Sequence, residues 1–577
     1  MKKLYVVLLL CGIFFSFTAN AQFSRFIIRF KDKNGSAYSI SNPSAYLSAA
    51  AIARRNRYKI NIDSTDLPVN AAYLDSIKKV PKVSMLNVSK WFNQVCIKVT
   101  DTTSLPGTLA AINAFSFVKN TNPIAARMIQ SLPLVKPAAF DEYASFAPLK
   151  LNEIQSTSGF TGIQDYYNYG SNSAQVHIHE GEYLHNLGFH GEGITIAILD
   201  AGFLNYKANP AFDSIRNQNQ ILGTWDYVAV EESVNEDHPH GAYCLSTIAA
   251  NEPGKIVGTA PKAKFWLLRT EDAATEYPVE EENWVAAAEF ADSVGADMIS
   301  SSLGYENFDN ASFNLSYAQR DGKTALVSIG AGLAVKKGIL VTNSAGNSGG
   351  ATDDTKYVIC PADADSVLTI GATDVNGAIA YFSCYGPNGA GHLKPNVVSV
   401  GYNAVLANVN SGLPFTASGT SFSNPNLCGL VACLWQAYPE FSNMQIIDAV
   451  QRSSSKYTNP DFHFGYGIPD MRIAYQYLQQ QRTIKNYQQI LGSSWIKAFP
   501  VPFGDNFSVL LKAPLSGHSS LRLIDMSGKT IETKETEIQQ DNMYTISFDK
   551  LKIISRGVYT IQYTDGKNKT SLRVIKQ

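Results

Sequence analysis

Ser421 is the side chain in this sequence best placed for nucleophilic chemistry. It lies in Ser418-Gly419-Thr420-Ser421-Phe422-Ser423-Asn424-Pro425, which opens directly into the apolar run Leu427-Cys428-Gly429-Leu430-Val431-Ala432-Cys433-Leu434-Trp435. A small, glycine-preceded segment running into an apolar helix puts a hydroxyl at a helix N-terminus. There, unpaired backbone N–H groups and the positive end of the helix dipole favour an oxyanion. Pro425 fits a first helical turn, where its missing N–H costs little. A serine in such a position is more often a plain N-cap, so the chemistry depends on partners elsewhere.

Three partners are present. Asp200-Ala201-Gly202 ends the apolar run 194–199 and sets a carboxylate at the rim of a sheet. His240-Gly241-Ala242-Tyr243-Cys244-Leu245-Ser246 opens a helix with a histidine in its first turn. An imidazole there takes the serine proton while a buried carboxylate holds its tautomer and steadies the imidazolium. Asn347, after Ala345-Gly346, offers a side-chain amide to a developing oxyanion beside the Ser421 N–H.

These segments need a frame that brings them together. From about 176 to 480, apolar runs at 194–199, 265–268, 298–299, 339–341 and 367–370 alternate with helical stretches at 241–250, 284–294 and 325–336. That alternation predicts a parallel sheet buried on both faces. Functional groups in such sheets collect at strand carboxyl ends, where Asp200, Ser302 and Asn347 all fall. Residues 23 to about 125 have a mixed α+β pattern. Strands are expected at 26–30, within 83–99 and at 115–118, with helices at 44–57, 70–79 and 108–114, the last capped by Thr108. The Ser-, Pro-, Ala-, Asn- and Tyr-rich tract 126–175 reads as a connector. From 495 onward, runs at 507–511, 521–525, 544–548, 558–563 and 571–575, with turn signals at Ser527-Gly528 and Asp565-Gly566, predict a small antiparallel β-sandwich.

The 577 residues are 45% hydrophobic and 17% charged, an ordinary globular balance for a chain of several domains. With 48 basic and 49 acidic residues, the net charge of -1 argues against nucleic acid or an anionic membrane as partner. Lys2-Lys3, the apolar stretch 4–17 and Ala19-Asn20-Ala21 have the form of a cleaved signal peptide, 1–21, which leaves Gln22 as the mature N-terminus. Leu10 before Cys11 is the wrong residue for a lipoprotein site. No later apolar run has transmembrane length, so a secreted or cell-surface protein without a membrane span is expected. Cys11 leaves with the signal. Cys96, Cys244, Cys360, Cys384, Cys428 and Cys433 are too irregular for a disulfide framework, and Cys360 with Cys384 is the one pairing to consider.

In the order and content of these segments the chain resembles the subtilisin-like serine peptidases. It has their Asp-x-Gly, His-Gly helix, Ser-Leu-Gly strand, Ala-Gly-Asn loop and Gly-Thr-Ser-x-x-x-Pro helix. Gly258-Thr259-Ala260-Pro261 and Lys394-Pro395-Asn396-Val397 are similar to two further segments. The resemblance implies an α/β, three-layer subtilisin-like fold over 176–482 and a serine endopeptidase. Asp200, His240 and Ser421 would be its triad and Asn347 its oxyanion hole. Ser302, Leu303 and Gly304 would bind substrate backbone as an added strand and wall the S1 pocket, with Ser344, Ala345 and Gly346 opposite. Ala242, Leu245, Ser246 and Phe422 depart from the family pattern without removing a reacting group.

No cofactor or catalytic metal is implied. Structural Ca2+ at Asp309, Asn310 and Asp321 is left open, Asx turns being the other explanation. His238 reads as a loop residue. His177, His179, His185 and His190 lack ligand spacing and read as surface or capping residues. The acidic run from Glu271-Asp272 to Glu280-Glu281-Glu282 reads as a solvated face or helix N-terminal charge.

The flanks carry resemblances of their own. Residues 22–125 are similar to the family's inhibitory propeptide, which implies cleavage within 120–175. Phe499-Pro500-Val501-Pro502-Phe503, Asp525-Met526-Ser527-Gly528-Lys529, Gly557-Val558-Tyr559 and Val574-Ile575-Lys576 resemble the sorting domain of the type IX secretion route, 495–577. The implied partners are protein or peptide substrates, the chain's own propeptide and the secretion machinery. A catalytically silent surface adhesin on a peptidase scaffold is the competing reading. The complete set Asp200, His240, Asn347 and Ser421 favours the enzyme.

Overall fold

The computed structural model describes residues 23–126 and 165–577. The signal segment, most of the connector and most of the expected cleavage window lie outside the described residues. The chain divides into two compact units, Met1–Tyr475 and Gln476–Gln577.

The first unit starts with β1 (Phe23–Phe30), α1 (Ala49–Tyr58), α2 (Ala71–Lys78), β2 (Val83–Ser89), β3 (Gln94–Val99), α3 (Leu105–Asn113) and β4 (Val118–Ala126). The strands pair antiparallel in the order β2-β3-β1-β4. Phe26, Ile28, Val95 and Ile97 pack with Ile77 of α2 and Ile112 of α3. Two helix starts differ from expectation. Ser48 accepts the Ala51 N–H and so caps α1 at Ala49. Pro106 sits in the first turn of α3, which begins at Leu105 and leaves Thr108 inside it. The last strand begins at Val118, where the expected one ends.

The central sheet comprises β5 (Thr195–Asp200), β6 (Ile221–Asp226), β7 (Lys264–Arg269), β8 (Met298–Ser301), β9 (Leu340–Ser344), β10 (Leu368–Thr373) and β11 (Val397–Val400). All seven are parallel, in the order β11-β10-β9-β8-β5-β7-β6. Four helices matter to the site: α4 (His240–Ala249), α5 (Val279–Val294), α6 (Leu326–Lys336) and α7 (Thr420–Ala437). On one face Trp284, Val285 and Ala288 of α5 and Val327 and Ala331 of α6 bury Ala197, Leu199, Ile299 and Val341. On the other, α7 packs along the sheet with α4 beside it. Strand order reverses between β5 and β8, so the crossovers diverge there and leave a crevice at the strand carboxyl ends.

The N-terminal sheet docks on α5. The Glu289 carboxylate accepts the Lys90 N–H at 2.6 Å, the Trp91 N–H at 3.0 Å and the Ser89 hydroxyl. Gln94 Nε2 donates to Glu282 at 2.7 Å. Arg54 and Arg55 of α1 converge on Asp292, at 2.6 and 2.9 Å, while Asp66 joins Arg55 to Lys337. Burial pushes the Glu289 carboxyl up to about 7 and that of Glu282 up to about 8, against the pull of their hydrogen bonds. The covering groups come from the N-terminal segment, so undocking returns both carboxyls toward water. A carboxyl whose docked pKa stands above its free one supports docking fully below the ordinary glutamate range. That support is lost as pH rises through about 7 and 8. Once the chain is cut, the N-terminal segment should therefore leave the peptidase more readily at about pH 9 than at about pH 5. The gain in dissociation constant should be on the order of tenfold or more. Gel filtration of the cut complex measures it, and a pH-independent or acid-promoted release would refute the linkage.

The second unit opens on the greater part of a helix, Met471–Leu491, and is β thereafter. Its strands are β12 (Ile496–Phe499), β13 (Phe507–Lys512), β14 (Gly517–Ile524), β15 (Thr530–Ile538), β16 (Met543–Phe548), β17 (Gly557–Thr564) and β18 (Lys569–Lys576). Antiparallel sheets β12-β13-β16 and β15-β14-β17-β18 enclose Phe507, Val509, Leu521, Leu523, Phe548, Ile561 and Tyr563. β15 escaped the sequence pattern because Thr530-Ile531-Glu532-Thr533-Lys534-Glu535-Thr536-Glu537-Ile538 is a polar edge strand with one buried residue.

Candidate active site

The carboxylate and the imidazole meet through two glycines. Asp200 is the last residue of β5, and Gly202 follows at φ 144°, where a Cβ would lie 2.6 Å from the His238 nitrogen. His240 is the first residue of α4. A Cβ at Gly241 would lie 2.5 Å from the Gly202 oxygen and 2.9 Å from Asp200 Cβ, so only glycine lets the helix start this close to the strand end. As a result His240 Nδ1 is 2.6 Å from Asp200 Oδ1, both side chains being fully buried. Asp200 Oδ1 also accepts the Ala201 N–H at 2.7 Å. A carboxylate acceptor at Nδ1 places the imidazole proton there and leaves Nε2 as the basic nitrogen.

Ser421 is the second residue of α7, whose N-cap is Gly419. Pro425 lies in the second turn, not the first, and its effect is specific. Lacking an N–H, it leaves the Ser421 carbonyl without its helical partner. Ser302 Oγ donates to that oxygen at 2.9 Å and Cys244 Sγ at 3.3 Å. Asn424 Nδ2 reaches the Ser301 carbonyl at 3.0 Å, a second tie between α7 and the end of β8. The helix bearing Ser421 is thereby held both to the strand end and to the helix bearing His240. Phe422 packs its ring 6.1 Å from the His240 ring.

Asn347 follows β9. Its Oδ1 accepts both the Thr420 N–H and the Thr420 hydroxyl at 2.8 Å. A backbone N–H can only donate, so the amide oxygen faces Thr420 and the amide nitrogen is turned to the cleft that Asn347 and Ser421 both line. The Ser421 N–H, in the first turn of α7, has no intrahelical acceptor.

That cleft encloses about 410 Å³. Ser302, Leu303 and Gly304 line one side and Ser344 and Gly346 another. Ala345 does not join the wall. It turns into a buried cluster with Val358, Ala362 and Cys384. Ile359 was not foreseen: its Cδ1 lies 1.8 Å from where a Gly304 Cβ would stand and 3.2 Å from that of Gly346, so it fills the space between the walls. Glu306 also lines the cleft, paired with Arg320 at 2.8 Å. Burial pushes its carboxyl up to about 7 despite the guanidinium.

Three parts of the chain match known protein families. Residues 191–467 match the Subtilase family. Over this span the chain is a subtilase. Residues 25–138 match the Peptidase S8 propeptide domain of Bacteroidota, and residues 497–577 the Secretion system C-terminal sorting domain. Subtilisin NAT of Bacillus subtilis subsp. natto is 26% identical over 296 residues, 51% of this chain and 68% of that protein. The Thermostable alkaline protease of Halalkalibacterium halodurans is 26% identical over 292 residues, 49% of this chain and 68% of that protein. Among solved structures, MycP1 from Mycobacterium smegmatis covers 54% of this chain and 86% of its own at 20% identity, with a TM-score of 0.42. The subtilase is thus a serine endopeptidase made with a propeptide. Its sorting domain implies secretion across the outer membrane. Among the described residues, no helix is long and apolar enough to cross a membrane.

Several sequence expectations for the subtilase are corrected. His179, His185 and His190 are buried core residues, not surface ones. His179 bonds Ser399 Oγ and the Pro469 carbonyl, and His185 bonds the Tyr169 hydroxyl and the Thr259 carbonyl. Burial pushes both down to about 4, which keeps them neutral. The acidic run is not a solvated face: Glu271, Glu276, Glu280, Glu281 and Glu282 are all buried. Glu280 accepts the Asp272 and Tyr277 N–H groups, and Glu271 accepts the Tyr305 hydroxyl. Cys360 and Cys384 are separate thiols. Asp309, Asn310 and Asp321 accept backbone N–H groups from Glu276, from Ser312, and from Lys323 and Thr324, respectively.

Proposed function

We propose that this subtilase cleaves peptide bonds through Asp200, His240, Ser421 and Asn347. The supporting observation is the 2.6 Å pairing of His240 Nδ1 with Asp200 Oδ1, on a helix whose Cys244 reaches the Ser421 carbonyl. With its proton held at Nδ1, the imidazole takes the Ser421 proton at Nε2 as the serine oxygen attacks the scissile carbonyl. The Asn347 amide and the Ser421 N–H receive the oxyanion. The imidazolium, steadied by Asp200, gives its proton to the leaving amine, and water then hydrolyses the acyl-enzyme by the same steps. No cofactor is needed. A fluorophosphonate probe on the processed protein tests the reading: the label should map to Ser421. A label on another residue, or none, would refute it.

Ser302, Leu303 and Gly304 bind substrate backbone on one side, with Ser344 and Gly346 opposite, and cutting within 120–175 frees the cleft. Ile359 sets how deep the P1 side chain reaches. A branched side chain between two glycine-containing walls favours small aliphatic P1 residues over aromatic ones. Ile359→Gly should therefore raise kcat/KM for a P1 phenylalanine peptide relative to a P1 alanine peptide by about 10-fold or more, the scale of apolar pocket discrimination. An unchanged ratio would remove Ile359 from the specificity pocket.

A further inference from the structure

Asp200 and His240 approach one another through Gly202 and Gly241, two residues with no side chain by which the junction could be held. A brace is offered by the neighbouring strand. Arg269 is the last residue of β7. It pairs in register with Asp200 of β5 on one side and with Asp226 of β6 on the other. Three strand-end residues, Asp226, Arg269 and Asp200, thus form one row at the carboxyl ends of the sheet.

The mostly buried guanidinium spreads its bonds over both sides of the junction. Arg269 Nε donates to the Ala201 carbonyl at 3.1 Å and to the Glu271 carbonyl at 3.2 Å. Nη1 lies 2.7 Å from Asp226 Oδ2 and 2.9 Å from Asp237 Oδ1. Ala201 is the residue whose N–H bonds Asp200 Oδ1, and Asp237 stands three residues before His240 in the loop that enters α4. Asp226 is the anchor: it is fully buried, and its Oδ1 accepts the Val228 and Ala229 N–H groups at 2.7 and 2.9 Å. Neutralising Asp226 needs only one contact. The remaining donors go to the residue after Asp200 and the loop before His240, and a planar fork fixes directions that a point charge leaves free.

We propose that Arg269 is a positioning residue for hydrolysis, a brace that ties the segment after Asp200 to the segment before His240 and so sets the carboxylate–imidazole contact. This rests on the triad reading above. Arg269 touches neither substrate nor reacting atoms and acts through Ala201 and Asp237. Without it the glycine junction relaxes, the 2.6 Å contact between His240 Nδ1 and Asp200 Oδ1 loosens, and Nε2 is presented less accurately to the Ser421 hydroxyl. Misplacement of a catalytic group by about 1 Å is enough to cost on the order of 10² in rate.

The test has two arms. In the processed enzyme, Arg269→Met keeps the length of the side chain and removes its charge and donors. It should lower kcat on a peptide amide about 10–100-fold per active site, counted with a fluorophosphonate titrant. KM should stay near its parent value, because the contacts of Arg269 lie outside the cleft. Arg269→Lys, whose ammonium can still join Asp226 to Asp237, should recover most of that kcat. The second arm is the proton NMR signal of His240 Nδ1–H in the full-length Ser421→Ala protein labelled with nitrogen-15 histidine, identified by its disappearance on adding Asp200→Asn. Arg269→Met should shift this signal upfield or broaden it. No turnover is read there, so a failure of the brace is distinguishable from a wrong assignment of the nucleophile. A stranded Asp226 carboxylate can block folding, and Asp237→Ala, which removes only the partly exposed arm, then takes the place of Arg269→Met in both arms. An unmoved signal, an unchanged kcat per active site, or a lysine variant no faster than the methionine one would overturn the proposal.

Discussion

Replacing Ser421 by alanine should lower peptide hydrolysis by about 10⁶ in kcat, the loss subtilisin itself shows when its serine nucleophile is removed. The effect is this large because the serine and its base act as one unit, and neither retains much value without the other. The fold should survive. Ser302 and Cys244 hold residue 421 through its carbonyl oxygen, which alanine keeps. The variant should also remain at full length if the N-terminal segment is cut by the chain's own site. Casein hydrolysis and gel mobility read the two effects together. A variant with normal turnover would assign the nucleophile elsewhere. A silent variant that is still cut would show that another protease performs the processing.

The segments proposed to carry the chemistry were legible because each is fixed by a local demand. An Asp at the end of an apolar strand, a His-Gly helix start and a Ser at a helix N-terminus can be read without knowing what packs on them. What could not be read depends on distant covering. Glu282 and Glu289 look like solvent-facing charges in α5, yet their partners Gln94, Ser89, Lys90 and Trp91 lie nearly two hundred residues earlier in the chain. His179 and His185 have the same history: their acceptors at Pro469 and Thr259 come from other parts of the fold. Ile359 carries no signal at all, being one apolar residue beside Cys360-Pro361 until the fold sets it between Gly304 and Gly346. Pro425 was legible as a helix-start residue but not as the reason the Ser421 carbonyl lacks a helical partner. That consequence needs the second turn of α7 and the approach of Ser302.

Asn347→Ala should cost on the order of 10²–10³ in kcat, about 2.7–4 kcal/mol of transition-state stabilisation, as the corresponding donor does in subtilisin. The loss should fall on kcat with KM nearly unchanged, since the full negative charge on oxygen exists only after attack. Alanine also removes the acceptor that holds the Thr420 N–H and hydroxyl, and a lost helix-start contact costs stability of about 1 kcal/mol. Asn347→Asp separates the two roles. It keeps an oxygen toward Thr420 but turns a negative oxygen, in place of the amide donor, toward the cleft. If Asn347 serves the oxyanion, aspartate should be slower than alanine while melting at or above it. If Asn347 only braces α7, aspartate should restore both stability and rate, and the oxyanion would then depend on the Ser421 N–H alone.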